Sequence, residues 1–236
     1  MLRRFFIWTG LMIALVLILG LALSHRSRQV PVSLKDYQIT HLILSENFDH
    51  ATALSRFRVG EPDLGFKAGD DQHPAWRIEE GRLIPHKAHN ATLWLTQPLP
   101  SGDLRISFTA RALSKEGDVK CEVSGDGVHH QSGYILINGG WKNTIRAIAR
   151  QDEHGEDRRE DRRCGKKRQC VPLNKDVTWV IERRGHILTW YLDGRLVLRY
   201  EDQQPLTGHH FGFGNWSSGV QFDNLRIDQL SAHAKM

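Results

Sequence analysis

The chain has almost no charge excess outside its first residues. Lys and Arg number 32 against 27 Asp and Glu, a formal +5 over 236 residues. The first 28 residues hold Arg3, Arg4, Arg26 and Arg28 and no acid, so the rest carries 28 bases against 27 acids, or +1. A nucleic-acid-binding domain presents a basic face, and a near-neutral body does not supply one; no nucleic-acid partner is expected. Helical periodicity is nearly missing after the first forty residues. No G-x-S-x-G elbow occurs, and no glycine-rich phosphate loop opens a helix, which removes the usual supports for a hydrolase elbow or a nucleotide site. No C-x-x-C pair stands beside the three cysteines, so zinc is not indicated. A composition 40% hydrophobic and 25% charged excludes wholesale disorder.

One long apolar run is present. Phe5–Leu23 contains no charge over nineteen residues. At about 1.5 Å per residue that just crosses a hydrocarbon core of about 30 Å. Residues 1–28 read as a retained signal anchor, one transmembrane helix, or as a signal peptide cleaved near Ala22-Leu23-Ser24. Residues 29–40 read as a linker, 41–230 as the folded domain and 231–236 as a tail. Both readings of the run place the body outside the cytoplasm, in a periplasm or at a cell surface, with the membrane as partner through residues 5–23 if the anchor stays. Cys164 and Cys170 bracket a short polar loop and are expected to form a disulfide in that oxidising setting. Cys121 sits in an alternating run and reads as a buried free thiol.

From residue 41 the pattern has period two. Alternation marks strands at His41–Phe48, Trp76–Pro85, Ala91–Leu99, Asp103–Ala112, Val119–Ser124, Gly133–Asn138 and Asn143–Arg150. It continues at Val177–Arg183, His186–Leu192, Arg195–Tyr200, His210–Asn215 and Val220–Leu230. Asp193-Gly194 is a two-residue hairpin signal. A dozen short strands with turn residues between them predict an all-β fold, a two-sheet antiparallel jelly-roll sandwich. Gln151–Cys170 breaks the pattern with six acids and seven bases and no apolar residue apart from Cys164 and Cys170; it reads as a solvated excursion between strands.

The second half of the body resembles a known superfamily. The residues are Gly133-Tyr134-Ile135-Leu136, Gly139-Gly140 with Asn143, Val177-Thr178-Trp179-Val180, Tyr191-Leu192-Asp193-Gly194-Arg195, Gly212-Phe213-Gly214 and Phe222-Asp223-Asn224. Their order is similar to the concanavalin A-like lectin/glucanase sandwiches, in particular the bacterial secreted branch with 3-keto-disaccharide hydrolase-like and laminin-G-like domains. Glu46-Asn47-Phe48-Asp49 resembles that branch's opening strand. The resemblance implies the fold; the matched residues are mostly architectural.

The glucanases of that superfamily carry a Glu-x-Asp-x-x-Glu strand, because retaining hydrolysis needs two carboxylates about 5–5.5 Å apart. The chain lacks that spacing. Its dense acids lie in Asp152–Asp161, and Glu46-x-x-Asp49 has no third member, so a non-catalytic body is favoured over a saccharide-acting hydrolase. Binding would use aromatic faces with polar neighbours. Trp179 and Trp190 lie on apolar stripes and read as core, with Trp76 and Trp94 leaning the same way. Trp141 and Trp216 sit in glycine-rich turns and are candidate sugar-stacking residues, with Tyr134, Asn143 and Arg146 as candidate polar neighbours. Thirteen histidines include His86-x-x-His89, His129-His130 and His209-His210, but adjacent strand residues face opposite ways and cannot chelate one ion. A structural calcium held by Glu46, Asp49 and Asp223 is the one metal site considered, since calcium takes oxygen ligands; no other cofactor is expected. Asn90-Ala91-Thr92 and Asn215-Trp216-Ser217 are glycosylation sequons. The expected function is therefore a membrane-tethered, lectin-like sandwich that binds a glycan or a cell-envelope protein. A saccharide hydrolase and a structural or protein-interaction module are the alternatives.

Overall fold

The computed structural model describes residues 37–61, 75–86, 88–164 and 169–232. The apolar run 5–23 lies outside the described residues; among them no helix is long and apolar enough to cross a membrane.

The strands in chain order are β1 (Tyr37–Glu46), β2 (Phe57–Val59), β3 (Trp76–Glu79), β4 (Arg82–Pro85) and β5 (Leu93–Leu95). There follow β6 (Leu104–Ala112), β7 (Val119–Gly125), β8 (Tyr134–Gly139), β9 (Ile145–Arg150) and β10 (Arg159–Asp161). The last are β11 (Asp176–Arg184), β12 (Ile187–Leu192), β13 (Arg195–Glu201), β14 (His210–Asn215) and β15 (Val220–Ala232). One eight-stranded sheet runs β13-β12-β11-β6-β15-β4-β3, with β1 also on β15; a seven-stranded sheet runs β10-β9-β8-β7-β14-β5-β2. The ladders are antiparallel, as the alternation predicts.

Three boundaries differ from the sequence reading. β15 runs to Ala232, into the span read as a tail. β1 begins at Tyr37, within the span read as linker, because it pairs along β15 from Tyr37↔Ala232 to Glu46↔Leu225. The charged stretch after β9 is not a free excursion: β10 adds an edge strand through Arg159↔Ile148 and Asp161↔Arg146.

The two sheets bury different amounts of their outer faces. On β6 the residues Leu104, Ile106, Phe108, Ala110 and Ala112 are buried and those between them are half-buried. That is a strand with one face on the core and one toward water. The inner faces meet in an aromatic cluster in which Phe108 stacks on Trp179 at 5.1 Å between centroids and Phe213 lies 4.5 Å from Phe222. All seven residues of β7 and all six of β8 are buried instead. At β7 and β8 both faces of the seven-stranded sheet are therefore covered, one by the core and the other by loops 126–133 and 151–158. Trp94 is fully buried but lies outside the core cluster. A Cβ on Gly125 would come within 2.3 Å of its ring, so this close approach needs glycine.

Candidate functional site

On β7, Val119, Cys121 and Val123 join the core. Alternation then sends Lys120 and Glu122 to the outer face, where loops bury both. Glu122 is the hub. Its Oε1 accepts from Thr92 Oγ1 at 2.9 Å, His130 Nδ1 at 2.7 Å and the Gln131 amide at 3.2 Å, and its Oε2 from the Gly133 amide at 3.4 Å. Glu153 reaches in from the charged stretch: Lys120 Nζ donates to its Oε1 at 2.7 Å. His130 Nε2 lies 3.4 Å from the same oxygen, at ion-pair distance but out of hydrogen-bond alignment. Asp118 Oδ2 is 3.8 Å from the same ammonium.

These groups pull one another's proton affinities apart. Burial opposes charge on His130, yet its bond to Glu122, its close approach to Glu153 and the negative charge of both push it up to about 9. Burial also opposes charge on Glu153, but His130 and Lys120 hold it down to about 2. On Asp118 burial wins over the attraction of Lys120, and the carboxyl rises to about 6. Removing each ion from water costs several kcal/mol, so a dry cluster of this kind adds little net stability. Titratable groups with displaced affinities beside a cavity are a functional-site signature.

A cavity of about 410 Å³ opens above the cluster, lined by Glu116, Asp118, Lys120, Trp141, Lys142, Glu153, His154 and Trp216. The turn that presents Trp141 is strained: Trp141, Lys142 and Asn143 all have positive φ, at 50°, 61° and 63°. L-residues pay roughly 1–2 kcal/mol each for that region, and such strain gathers where structure serves function. Asn143 anchors the turn by accepting the Val171 amide at 2.8 Å and donating to the Val171 carbonyl at 2.9 Å. Trp141 has its ring edge-on to His154 at 5.5 Å, with the Arg158 guanidinium 4.5 Å from its centroid. Trp216, 50% exposed, packs against His89 at 5.6 Å.

Trp141 and Trp216 thus share one cavity. The other expected neighbours lie elsewhere. Asn143 is buried and holds backbone. Arg146 bonds Asn138 and the Cys170 carbonyl and pairs with Asp161. Tyr134 is buried, with its hydroxyl on Asp202, and lines a different cleft. Of the expected calcium ligands, Glu46 accepts the Phe48 amide and pairs with Arg56, Asp49 bonds Asn47, and Asp223, which feels the charge of Asp49, accepts the Asn224 amide. Among the described residues no group of three or more His, Cys, Asp or Glu is arranged to hold a metal ion. His129 turns to Asp126 and His130 to Glu122. The Asn215 amide is buried and donates to Ala88, which closes the second sequon to a glycan. Cys164 and Cys170 form the disulfide, and Cys121 is free and buried.

Sequence reasoning missed Asp118, Lys120, Glu122, His130 and Glu153 as a unit. A signal was there. Glu116-Gly-Asp118-Val-Lys120-Cys-Glu122 places charged groups, three acids and a base, at alternate positions, but a search for the Glu-x-Asp-x-x-Glu spacing passes over it. Glu153 was hidden in a stretch whose composition reads as solvent-exposed.

No protein-family model matches the chain, and no curated protein matches it in sequence. Solved structures do. The Bacillus subtilis carbohydrate-binding module CBM66 superposes with a TM-score of 0.53 at 14% identity, over 74% of this chain and 96% of its own. SCLam, a non-specific endo-β-1,3(4)-glucanase of family GH16, gives 0.55 at 13% identity over 83% and 92%. Bacillus licheniformis β-glucanase gives 0.52 at 12% over 81% and 99%. At such identities the likeness shows the fold: a concanavalin A-like jelly-roll sandwich.

Proposed function

We propose that this chain is a saccharide-binding sandwich whose ligand lies between Trp141 and Trp216, on a floor of Asp118, Lys120 and Glu153. The observation that carries the reading is the convergence of two partly exposed tryptophans, from turns remote in sequence, on one cavity with a charged, hydrogen-bonding floor. Sugar rings offer C–H faces that stack on indole and hydroxyls that bond carboxylate and ammonium. The described neighbours of this fold include a carbohydrate-binding module. The body sits outside the cytoplasm, tethered by residues 5–23; the disulfide is in keeping with an oxidising compartment. The glycan is therefore one found in an envelope or at a cell surface.

The test is intrinsic fluorescence of the full chain, titrated with polysaccharides and peptidoglycan fragments beside Trp141→Ala and Trp216→Ala. Saturable quenching that weakens about tenfold or more in either variant supports the reading. A folded protein that responds to no glycan removes it.

One observation favours hydrolysis as a second reading. Asp118 is a carboxyl held up to about 6, and Glu153 stays ionised down to about 2, both on the same ammonium and the same cavity. Such a split is how one site keeps a proton donor beside an ionised carboxylate. Release of reducing ends from a bound polysaccharide, lost in both Asp118→Asn and Glu153→Gln, would establish it. Binding without release in the native chain would leave the site as a binding module.

A further inference from the structure

A second cleft, of about 440 Å³, lies at the end of the sandwich away from the Trp141 turn, where Tyr134 of β8 meets Arg183, Leu188 and Tyr200 of the other sheet and Leu206 of the loop after β13. Arg183 is the charged group in its wall that makes no ion pair among the described residues, though the charge of Asp103 acts on it. Its Nη1 donates to Ser124 Oγ at 2.9 Å, and its Nη2 donates to the carbonyls of Pro100 at 3.2 Å and Gly102 at 2.9 Å. All three acceptors are neutral. The nearby Asp103 is occupied with the Gly185 amide at 2.9 Å and makes no ion pair with Arg183 among the described residues.

The other half-buried arginines behave differently. Arg82 and Arg111 share Asp176, Arg105 and Arg184 share Glu182, Arg146 takes Asp161, and Arg150 takes Asp202. A guanidinium has five N–H donors. Three account for the strap between β11, β7 and the loop before β6. Nε–H and one hydrogen of Nη1 are left without a protein acceptor among the described residues. Burial presses this side chain toward losing its charge, and the Asp103 carboxylate nearby offsets part of that.

The rest of the wall is apolar where it matters. The Tyr134 hydroxyl donates to Asp202 and accepts from the Leu206 amide, and the Tyr200 hydroxyl donates to Asp157. Both hydroxyls are committed. Their rings, 5.8 Å apart between centroids, lie with Leu188 and Leu206 in the wall. An anion with a flat or ring-shaped body meets both features at once: its carboxylate takes a single remaining N–H of the guanidinium while its ring lies on the apolar wall.

We propose that this cleft binds a carboxylate carried on a six-membered ring, with the carboxylate on Arg183 and the ring against Tyr134, Tyr200, Leu188 and Leu206. Two sources share that chemistry: a uronic acid unit of a saccharide, and an aromatic acid. The site is separate from the Trp141–Trp216 cavity and does not depend on it.

Saturation-transfer NMR on the full chain tests the proposal with sodium benzoate, sodium glucuronate and neutral glucose. The expected result is saturable millimolar binding of benzoate, glucuronate or both. That binding weakens about tenfold in Arg183→Gln, which removes the cation, and is unchanged in Trp141→Ala. Glucuronate alone assigns the saccharide source; benzoate alone assigns the aromatic acid. Should Arg183→Gln fail to fold, Thr207→Trp fills the cleft with the strap intact and must abolish binding. No saturable binding of either acid, binding unchanged in the folded variants, or glucose binding equally well overturns the proposal.

Discussion

Asn143 pairs with the backbone of Val171 on both sides, Oδ1 accepting its amide at 2.8 Å and Nδ2 donating to its carbonyl at 2.9 Å. One side chain thus acts as a strand partner for a residue beyond the charged stretch. It holds the left-handed turn that carries Trp141 and at the same time closes the segment stapled by Cys164–Cys170.

Asn143→Ala removes both bonds and leaves two buried backbone groups unpaired, at about 1–3 kcal/mol each. It also keeps the left-handed strain. Asn143→Gly loses the same bonds and relieves the strain, so it should be about 1 kcal/mol less damaging. Urea midpoints of the two variants check the order. Equal or reversed midpoints would mean that the turn is not held by this pairing.

The His130 cluster predicts a stability loss on the alkaline side. His130 titrates near 9 in the fold against an ordinary 6.5, so the folded chain holds the extra proton between those values. Its contribution is full below pH 6.5 and disappears as pH rises through about 9. Glu153 runs the other way: held to about 2 against 4.5, it contributes above pH 4.5 and loses that contribution as pH falls through about 2. His130→Gln should flatten the decline between pH 6.5 and 9, measured as unfolding free energy against pH. A decline that survives the substitution assigns it to other groups.

What the sequence made legible was the period-two frame and the aromatic turns. β6 reads directly because one of its faces is wet, giving Leu104, Ile106 and Phe108 against Arg105, Ser107 and Thr109. Trp141 and Trp216 stood out because large aromatics beside glycines do not fit a core stripe. The floor was illegible for the opposite reason. Lys120 and Glu122 alternate with Val119, Cys121 and Val123 just as an exposed face would, and only the loops folded over β7 make that face interior. Those loops are held by single polar contacts such as Glu153 to Lys120 and the Glu153 amide to Gln131, which leave no periodic trace. Asn143 lies in the Trp141 turn but is spent on the Val171 backbone, and Tyr134 lies in the other cleft with its hydroxyl on Asp202.

Thiol counting checks the cysteine assignment. Unfolded in denaturant without reductant, the chain should show one reactive thiol, Cys121, and three after reduction. Replacing Cys164 and Cys170 by Ser should cost about 2 kcal/mol, the loop-closure value for so short a ring. Three thiols without reductant in protein from an oxidising compartment would contradict the bridge.

Asp118 is the most exacting case, because stability and function should move in opposite directions. Its carboxyl is 7% exposed and titrates near 6 against an ordinary 3.8. The folded chain therefore binds the extra proton between pH 3.8 and about 6, and above that window ionised Asp118 weakens the fold. Asp118→Asn keeps the shape and removes the charge. At pH 8 it should raise unfolding free energy by up to about 3 kcal/mol, the linkage value of a shift of this size; below pH 3.8 the gain should vanish. The same variant should bind glycan more weakly, since an amide replaces the acceptor facing the cavity. Urea titrations at the two pH values, beside the fluorescence titration, read both sides. A variant that is more stable and binds worse marks Asp118 as a group kept ionised at a cost to the fold for its ligand. A variant that is less stable at pH 8 would show instead that the contact with Lys120 outweighs burial, and that the cluster is structural.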